Sequence, residues 1–254
     1  MSETNNQQNE INKTERYSVC LAETLSEIES ALRLRFEVFN VEIAHQKSEN
    51  NALNLEFDEY DEHCRHLIVT ENETGEVVGT YRLNTLETAK TLAGFYSFSE
   101  FCIEDLPTEI LGQSVEIGRA CIAREHRNTK VLFLLWKGLA NFLIAQNKRY
   151  FFGCTSIFST NPRIGEEAYK LLETNGFLHN EFLIEPRNNN FPVDKKYDDS
   201  EQLELPKLFN MYLKIGAKIC GKPTVDPIFG TTDFFVIFDV ETINEKYRKM
   251  FFNK

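Results

Sequence analysis

The chain has 254 residues, 42% of them hydrophobic and 26% charged, with a formal net charge of −11. That length supports a substantial core, and the balance is that of an ordinary soluble globular protein. The acidity excludes a nucleic-acid binder and a generally basic membrane-binding surface, leaving only a transient, local membrane-surface contact open.

Residues 1–16, "MSETNNQQNEINKTER", are almost free of apolar side chains and predict a disordered tail ahead of a domain over 17–254. No apolar run with a basic lead precedes it and no segment reads as a membrane span, so a cytoplasmic location is expected. In "LSEIESALRLRFEVFNVEI", Ser26 and Glu29 have capping-box spacing and Ile28, Leu32, Phe36 and Phe39 recur at helical spacing. An acidic loop, "LEFDEYDEH", follows, and "HLIVTENETGEVVGTYRLN" predicts two strands joined at Asn72–Gly75. "FYSFSEFCI" fits a strand or a short helix.

"SVEIGRACIA" alternates as a strand, and "KVLFLLWKGLANFLIAQN" is a largely buried helix. "YFFGCTSIF" reads as a buried strand. "NPRIGEEAYKLLETNGF" reads as a helix capped by Asn161 and Pro162 and stopped at Gly176. Then come a strand at "EFLIE", a polar loop from Pro186 to about Glu204, the helix "LPKLFNMYLKIGAKICG" and the strand "TDFFVIFDV". The fold class is α+β, one domain with a mixed central sheet flanked by helices. Most of the 21 Phe belong to its core.

The six cysteines, Cys20, Cys64, Cys102, Cys121, Cys154 and Cys220, form no C-x-x-C pair and read as reduced thiols. "HCRH" (His63–His66) lacks a second cluster, so no metal is expected. Against the acidic whole, "SVEIGRACIAREHRNTK" gathers Arg119, Arg124, Arg127 and Lys130 around a turn between a strand and a helix.

The succession strand, basic turn, long helix, strand, capped helix ending in Gly-Phe resembles the GNAT acyltransferase superfamily. "RLRFEVF" (33–39), "EFDEYD" (56–61), "GTYRL" (79–83) and "VEIGRACI" (115–122) are similar to motifs of homoserine-lactone autoinducer synthases. The stretch "LPKLFNMYLKIGAKICGKPTVDPIFGTTDFFVIFD" departs from those synthases and resembles the ornithine-lipid N-acyltransferases that carry a hemolysin label. The resemblance implies a GNAT-like domain that moves a (3-hydroxy)fatty acyl group from acyl carrier protein to the α-amine of an amino acid, giving a lyso-aminolipid. Ornithine is the first choice of amino acid and glycine the second.

It also implies site residues. GNAT enzymes grip the pyrophosphate of coenzyme A with a turn of the form [RQ]-x-x-G-x-[GA], but "REHRNT" puts Arg127 and Thr129 in place of the glycines. Without them the backbone cannot easily wrap two phosphates. A carrier's phosphopantetheine arm has one, and carrier proteins are acidic. Arg124, Arg127 and Lys130, with Lys148 and Arg149 beside them, are therefore expected to dock the carrier. The acyl-phosphopantetheine thioester is then a co-substrate, and no cofactor is bound.

Glu116 is the expected general base; its alternative role is a salt bridge to Arg119 or Arg82. Backbone N–H groups of its strand would meet the oxyanion. Asp58 and Asp61 are expected against Arg35 and Arg82, ordering the acidic loop over the amino-acid pocket. A carboxylate left over there would hold a cationic substrate side chain, and an arginine its carboxylate. The GNAT helix ending "LYEKLGF" carries a tyrosine acid; here Leu172 stands in its place and Tyr169 is displaced, so the acid is unassigned. Two other functions stay open: a homoserine-lactone synthase, and a non-enzymatic, membrane-active hemolysin-like protein. The lack of a secretion signal and of basic amphipathic helices counts against the second.

Overall fold

Runs of alternating apolar residues form the sheet, and longer runs of helical period cover it. The computed structural model describes residues 12–44, 53–90, 94–187 and 200–252. Residues 1–11 of the predicted tail lie outside them. The end of that tail is ordered instead, because β1 (Asn12–Lys13) pairs with Ser18 and Val19 of β2 (Tyr17–Leu21).

In α1 (Leu25–Arg35) two capping frames overlap, and the structure uses the one that begins at Thr24 rather than Ser26. The Glu27 N–H donates to Thr24 Oγ1 at 3.2 Å, and Glu27 Oε2 accepts from the Thr24 N–H at 2.9 Å. Thr24 has the extended backbone a cap requires, whereas Ser26 already lies inside the first turn. The helical run continues past Arg35 as a widened, π-helical segment, Phe36–Ile43.

The predicted hairpin forms as β3 (Arg65–Glu71) and β4 (Val77–Thr85). After α2 (Leu86–Ala89), "FYSFSEFCI" resolves into a short helix, α3 (Ser97–Glu100), followed by a 3₁₀ turn at Ile103–Asp105 and α4 (Thr108–Gly112). Then come β5 (Ser114–Ile122), the turn Arg124–His126, α5 (Thr129–Ala145) and β6 (Tyr150–Ile157). In α6 (Pro162–Thr174) Asn161 caps the Arg163 N–H at 3.1 Å, and Gly176, at φ +70°, ends the helix. The chain finishes with α7 (Lys207–Ile215), β7 (Lys218–Ile219), β8 (Thr224–Asp226), β9 (Thr231–Asp239) and α8 (Glu245–Phe251). The predicted strand at 181–185 does not form. Ile184 donates one bond to the Cys220 carbonyl, but β7 is only two residues long, so there is no ladder to extend.

The strand order is β1-β2-β3-β4-β5-β6-β9-β7, with β8 also on β9. Among the described residues only the β5–β6 strand pair is parallel; the other strand pairs are antiparallel. One face packs Leu67, Tyr81, Val115, Phe151 and Phe234 against α5, α6 and α7. The other packs Phe152, Phe235 and Ile237 against Phe95 and Phe101, and Ile68 and Cys121 against Ala31 and Leu34 of α1.

The parallel pair is short. Ser114–Glu116 lie beside Tyr150–Phe152, after which β5 stays with β4 while β6 stays with β9 as far as Ile157. Gly153 stands at the fork, where a Cβ would lie 2.2 Å from the Ile117 carbonyl oxygen. Beyond it the strands leave a gap in the middle of the sheet.

Candidate active site

The acidic loop is clamped by arginines from three elements. Arg35 of α1, fully buried, is bidentate to Asp61 at 2.6 and 3.0 Å and also bonds Glu56. Arg82 of β4 reaches Asp58 at 2.5 Å and Asp61 at 3.1 Å. Arg119 of β5 reaches Asp58 at 2.8 Å and lies 3.2 Å from Glu56. Asp58 and Asp61 therefore face Arg35 and Arg82, with Arg119 and Glu56 completing an alternating cluster of three cations and three anions. Burial works to raise the Asp61 pKa, but Arg35 and Arg82 hold it well below the usual carboxylate range. Glu56, Asp58 and Asp61 are all engaged, and the loop's other two carboxylates, Glu59 and Glu62, are exposed and do not line the cleft at the sheet's gap, so the expected leftover carboxylate for a cationic substrate is not found in this loop.

Arg119 sits in a β-bulge. The β4–β5 register slips between Thr80 and Arg82, and Arg119 takes a positive φ of 49°. The bulge re-aims its side chain between the rings of Tyr96 and Phe229, at 4.6 and 4.7 Å.

Glu116 is the last β5 residue paired with β6, at the crotch of the fork. It makes no ion pair with Arg82 or Arg119, whose charges go to the loop. Its Oε1 accepts from the Ser97 N–H and hydroxyl, both at 2.7 Å, and its Oε2 from the Tyr96 N–H at 3.1 Å. Burial pushes its pKa up, against the opposing pull of Ser97, Arg82 and Tyr96. The result is a buried carboxyl, held in place by three donors and lacking an ion-pair partner among the described residues.

A cleft passes through the gap. Arg82, Asn84, Glu116, Arg119, Cys154 and Asp233 line its polar side; Ile117, Leu208, Phe209 and Tyr212 line its apolar side. Beyond Glu116 the β6-facing edge of β5 has no strand partner, so backbone around Gly118–Ala120 opens onto the cleft.

The basic turn is less free than its sequence implies. Arg127 is bidentate to Glu42 at 2.5 and 2.7 Å and donates to the Ile122 carbonyl, so it is committed within the chain. Lys148 is paired with Glu87, and Arg149 with Asp239 and Glu241. Arg124 and Lys130 are exposed and make no ion pair among the described residues; neither lines the cleft. Asn128 Oδ1 takes the N–H groups of Lys130 and Val131, which occupies the donors a helix N-terminus would offer to an anion.

Leu172 is buried in the core and offers no acid. His66 is buried and its ring bonds the Asp61 carbonyl. Sequence reasoning missed Tyr96, Ser97, Phe229 and Asp233. Asp233 alone left a trace, as a charge inside an apolar strand pattern.

The chain matches the family model described as an acetyltransferase (GNAT) domain over residues 34–137. It is 30% identical over 246 residues to the L-ornithine N(alpha)-acyltransferase of Agrobacterium fabrum, covering 89% of this chain and 82% of that one. It is 28% identical over 231 residues to the glycine N(alpha)-acyltransferase of Bacteroides thetaiotaomicron, covering 75% and 65%. Among solved structures it shares the fold of the CoA-dependent acyl-homoserine lactone synthase BjaI, with a TM-score of 0.50, 16% identity, and coverage of 89% and 81%. Fold, fork and relatives together define an acyltransferase of the GNAT class. More narrowly, the chain belongs to the same family as the Agrobacterium enzyme, a family of amino-acid N-acyltransferases. That family makes a membrane-active, non-enzymatic protein the poorer description. No helix among the described residues is long and apolar enough to cross a membrane.

Proposed function

We propose that this enzyme transfers a (3-hydroxy)fatty acyl group from the phosphopantetheine thioester of acyl carrier protein to the α-amine of ornithine. The observation that carries the reading is Glu116, buried at the fork without a cation and open to a cleft that crosses the sheet.

An α-ammonium group is mostly protonated near neutrality, and attack requires its lone pair. Glu116 takes that proton, directly or through one water, and its raised pKa improves it as a base. The amine attacks the thioester carbonyl, and open backbone donors of β5 beyond the fork meet the developing oxyanion. The C–S bond then breaks; the nitrogen's second proton passes through solvent to the departing sulfur, whose thiolate is a good leaving group and needs no dedicated acid. No covalent enzyme intermediate is needed. Arg119, held flat between Tyr96 and Phe229, offers its guanidinium edge to the substrate carboxylate.

The acyl chain follows the apolar wall of Ile117, Leu208 and Phe209 toward an adjoining groove lined by Phe39, Ile43, Phe57 and Phe158. Two features favour a carrier protein over coenzyme A as donor: the missing glycines and the Asn128 cap that fills the helix N-terminus. Arg124 and Lys130 remain to meet an acidic carrier.

Purified enzyme is incubated with acyl carrier protein thioester or the matching acyl-CoA and a panel of amino acids, and products are read by mass. N-acylornithine formed preferentially from the carrier supports the reading. Preference for glycine or for acyl-CoA overturns the corresponding part.

A further inference from the structure

With Glu56, Asp58 and Asp61 all bound to arginines, a cationic side chain on the substrate has to be recognised elsewhere. The opposite wall of the cleft holds one carboxylate with no cation. Asp233, on β9, is 4% exposed and makes no ion pair among the described residues, and its Oδ1 has no hydrogen-bond partner. The buried Thr231 hydroxyl and the Ser156 hydroxyl act on this carboxylate, and neither supplies a positive charge. All three residues line the same cleft as Glu116 and Arg119. A buried carboxylate with an unmatched oxygen and no counter-charge calls for a partner, and at a cleft wall it points to a cationic ligand.

Strand register puts Asp233 on the substrate's path. Glu116 lies beside Phe152, and Asp233 beside Ser156. Side chains alternate along a strand, so Glu116, Cys154, Ser156 and Asp233 share one face of the sheet. The two carboxylates sit at levels four residues apart along β6, roughly 13 Å. Cys154 lies between them, its thiol 3.8 Å from the Ser97 hydroxyl that holds Glu116. An amino acid with its amine at Glu116 can thus lay its side chain along β6 toward Asp233.

We propose that Asp233, with Thr231 beside it, is the subsite that receives the side-chain ammonium of the substrate, a reading that rests on the function proposed above. The surroundings suit a cation. Burial, with the charge of Asp226 adding to it, raises the Asp233 pKa to about 6, against the opposing pull of Ser156, Thr231 and Arg119. Glu100 lies near enough to Asp226 and Asp233 for their charges, after burial, to help raise its own pKa to about 7. Asp226 itself is satisfied by the Tyr96 hydroxyl and the N–H groups of Ile228 and Phe229, which leaves Asp233 as the open acceptor. Arg119, the cation whose charge reaches Asp233, is directed to Asp58, as is Arg82.

The test compares kcat/KM for ornithine, Nδ-acetylornithine, norvaline and glycine in the wild type, Asp233→Asn and Asp233→Glu. Norvaline has the ornithine carbon skeleton without the ammonium. The wild type is expected to favour ornithine over norvaline and Nδ-acetylornithine by at least about 100-fold, since losing a polar substrate group from a matched site costs up to about 10⁴–10⁵-fold. In Asp233→Asn the ornithine-to-norvaline ratio should fall toward one, and Asp233→Glu should restore most of it. If Asp233→Asn does not fold, Thr231→Val is read in the same way, with a lowered ornithine-to-norvaline ratio expected and an unchanged one overturning the subsite. Equal use of ornithine and norvaline by the wild type, or an unchanged ratio in Asp233→Asn, overturns the subsite and leaves acyl transfer standing. Acylation of no amino acid overturns both.

Discussion

Replacing Asp61 by Asn removes one charge from a cluster in which three arginines balance three carboxylates. Asp61 Oδ1 accepts from Arg35 and Arg82, and Oδ2 from Arg35 and the Asp58 N–H. An amide N–H₂ at either position points a donor at donors, and a buried guanidinium loses its counter-charge. Breaking a buried pair from one side costs about 3–5 kcal/mol. In a domain of this size that lowers Tm by roughly 6–20 °C. The sign with pH is fixed by the depressed folded-state pKa of Asp61. Its contribution is fully present above the unfolded value of about 3.9 and fades as pH falls toward the folded value. The stability gap between wild type and Asp61→Asn should therefore close in acid. Urea unfolding followed by the fluorescence of Trp136, the single tryptophan and a buried one, reports it at pH 7 and at pH 3. A gap below about 1 kcal/mol at pH 7, typical of a surface pair, or one that widens in acid, would refute the buried-cluster account.

The fork offers a second test. Gly153→Ala puts a methyl group 2.2 Å from the Ile117 carbonyl oxygen, so one strand must move. The expected cost is about 1–3 kcal/mol in stability, with a further loss of activity as the cleft shifts; a variant equal to the wild type in both unfolding and turnover contradicts the fork geometry. Charge reversal at Arg124 and Lys130 should raise KM for the acyl carrier severalfold and flatten its salt dependence, while KM for the amino acid stays put. An unchanged carrier KM removes the turn from docking. Reversal at Arg127 should act on stability through Glu42 instead, read as a lowered Tm with carrier KM little altered.

The long elements were legible because their signals are local. The period-2 runs of β3 to β6 and β9, the apolar run of α5 and the Asn-Pro start and Gly stop of α6 all lie within a few residues of what they specify. The pairing of the acidic loop with Arg35 and Arg82 was legible because buried charges demand opposites. What stayed hidden depends on register and on distant partners. Glu42 lies 85 residues from Arg127, and charge alone does not announce it. Tyr96 and Ser97 precede Glu116 by 20 and 19 residues, in a stretch whose own pattern fits strand or helix. The weight of Gly153 appears only once β5 and β6 are aligned. β7 and β8, two and three residues long, carry too little pattern to read. Asp233 is visible as a letter, but only the pairing of β9 with β6 brings it to the cleft.

The most direct measurement is the pH profile of kcat/KM for wild type and Glu116→Gln with the same acyl carrier thioester and amino acid. In the proposed mechanism the ionised carboxylate is the active form, and burial raises its pKa. The wild-type rate should thus climb with pH along a limb lying above the ordinary glutamate range of about 4.3. Glu116→Gln should lose that limb and run about 10²–10⁴-fold slower while near-UV circular dichroism shows the fold intact. A Gln variant with wild-type kcat/KM and the same profile would contradict the assignment of Glu116 as the base at the fork.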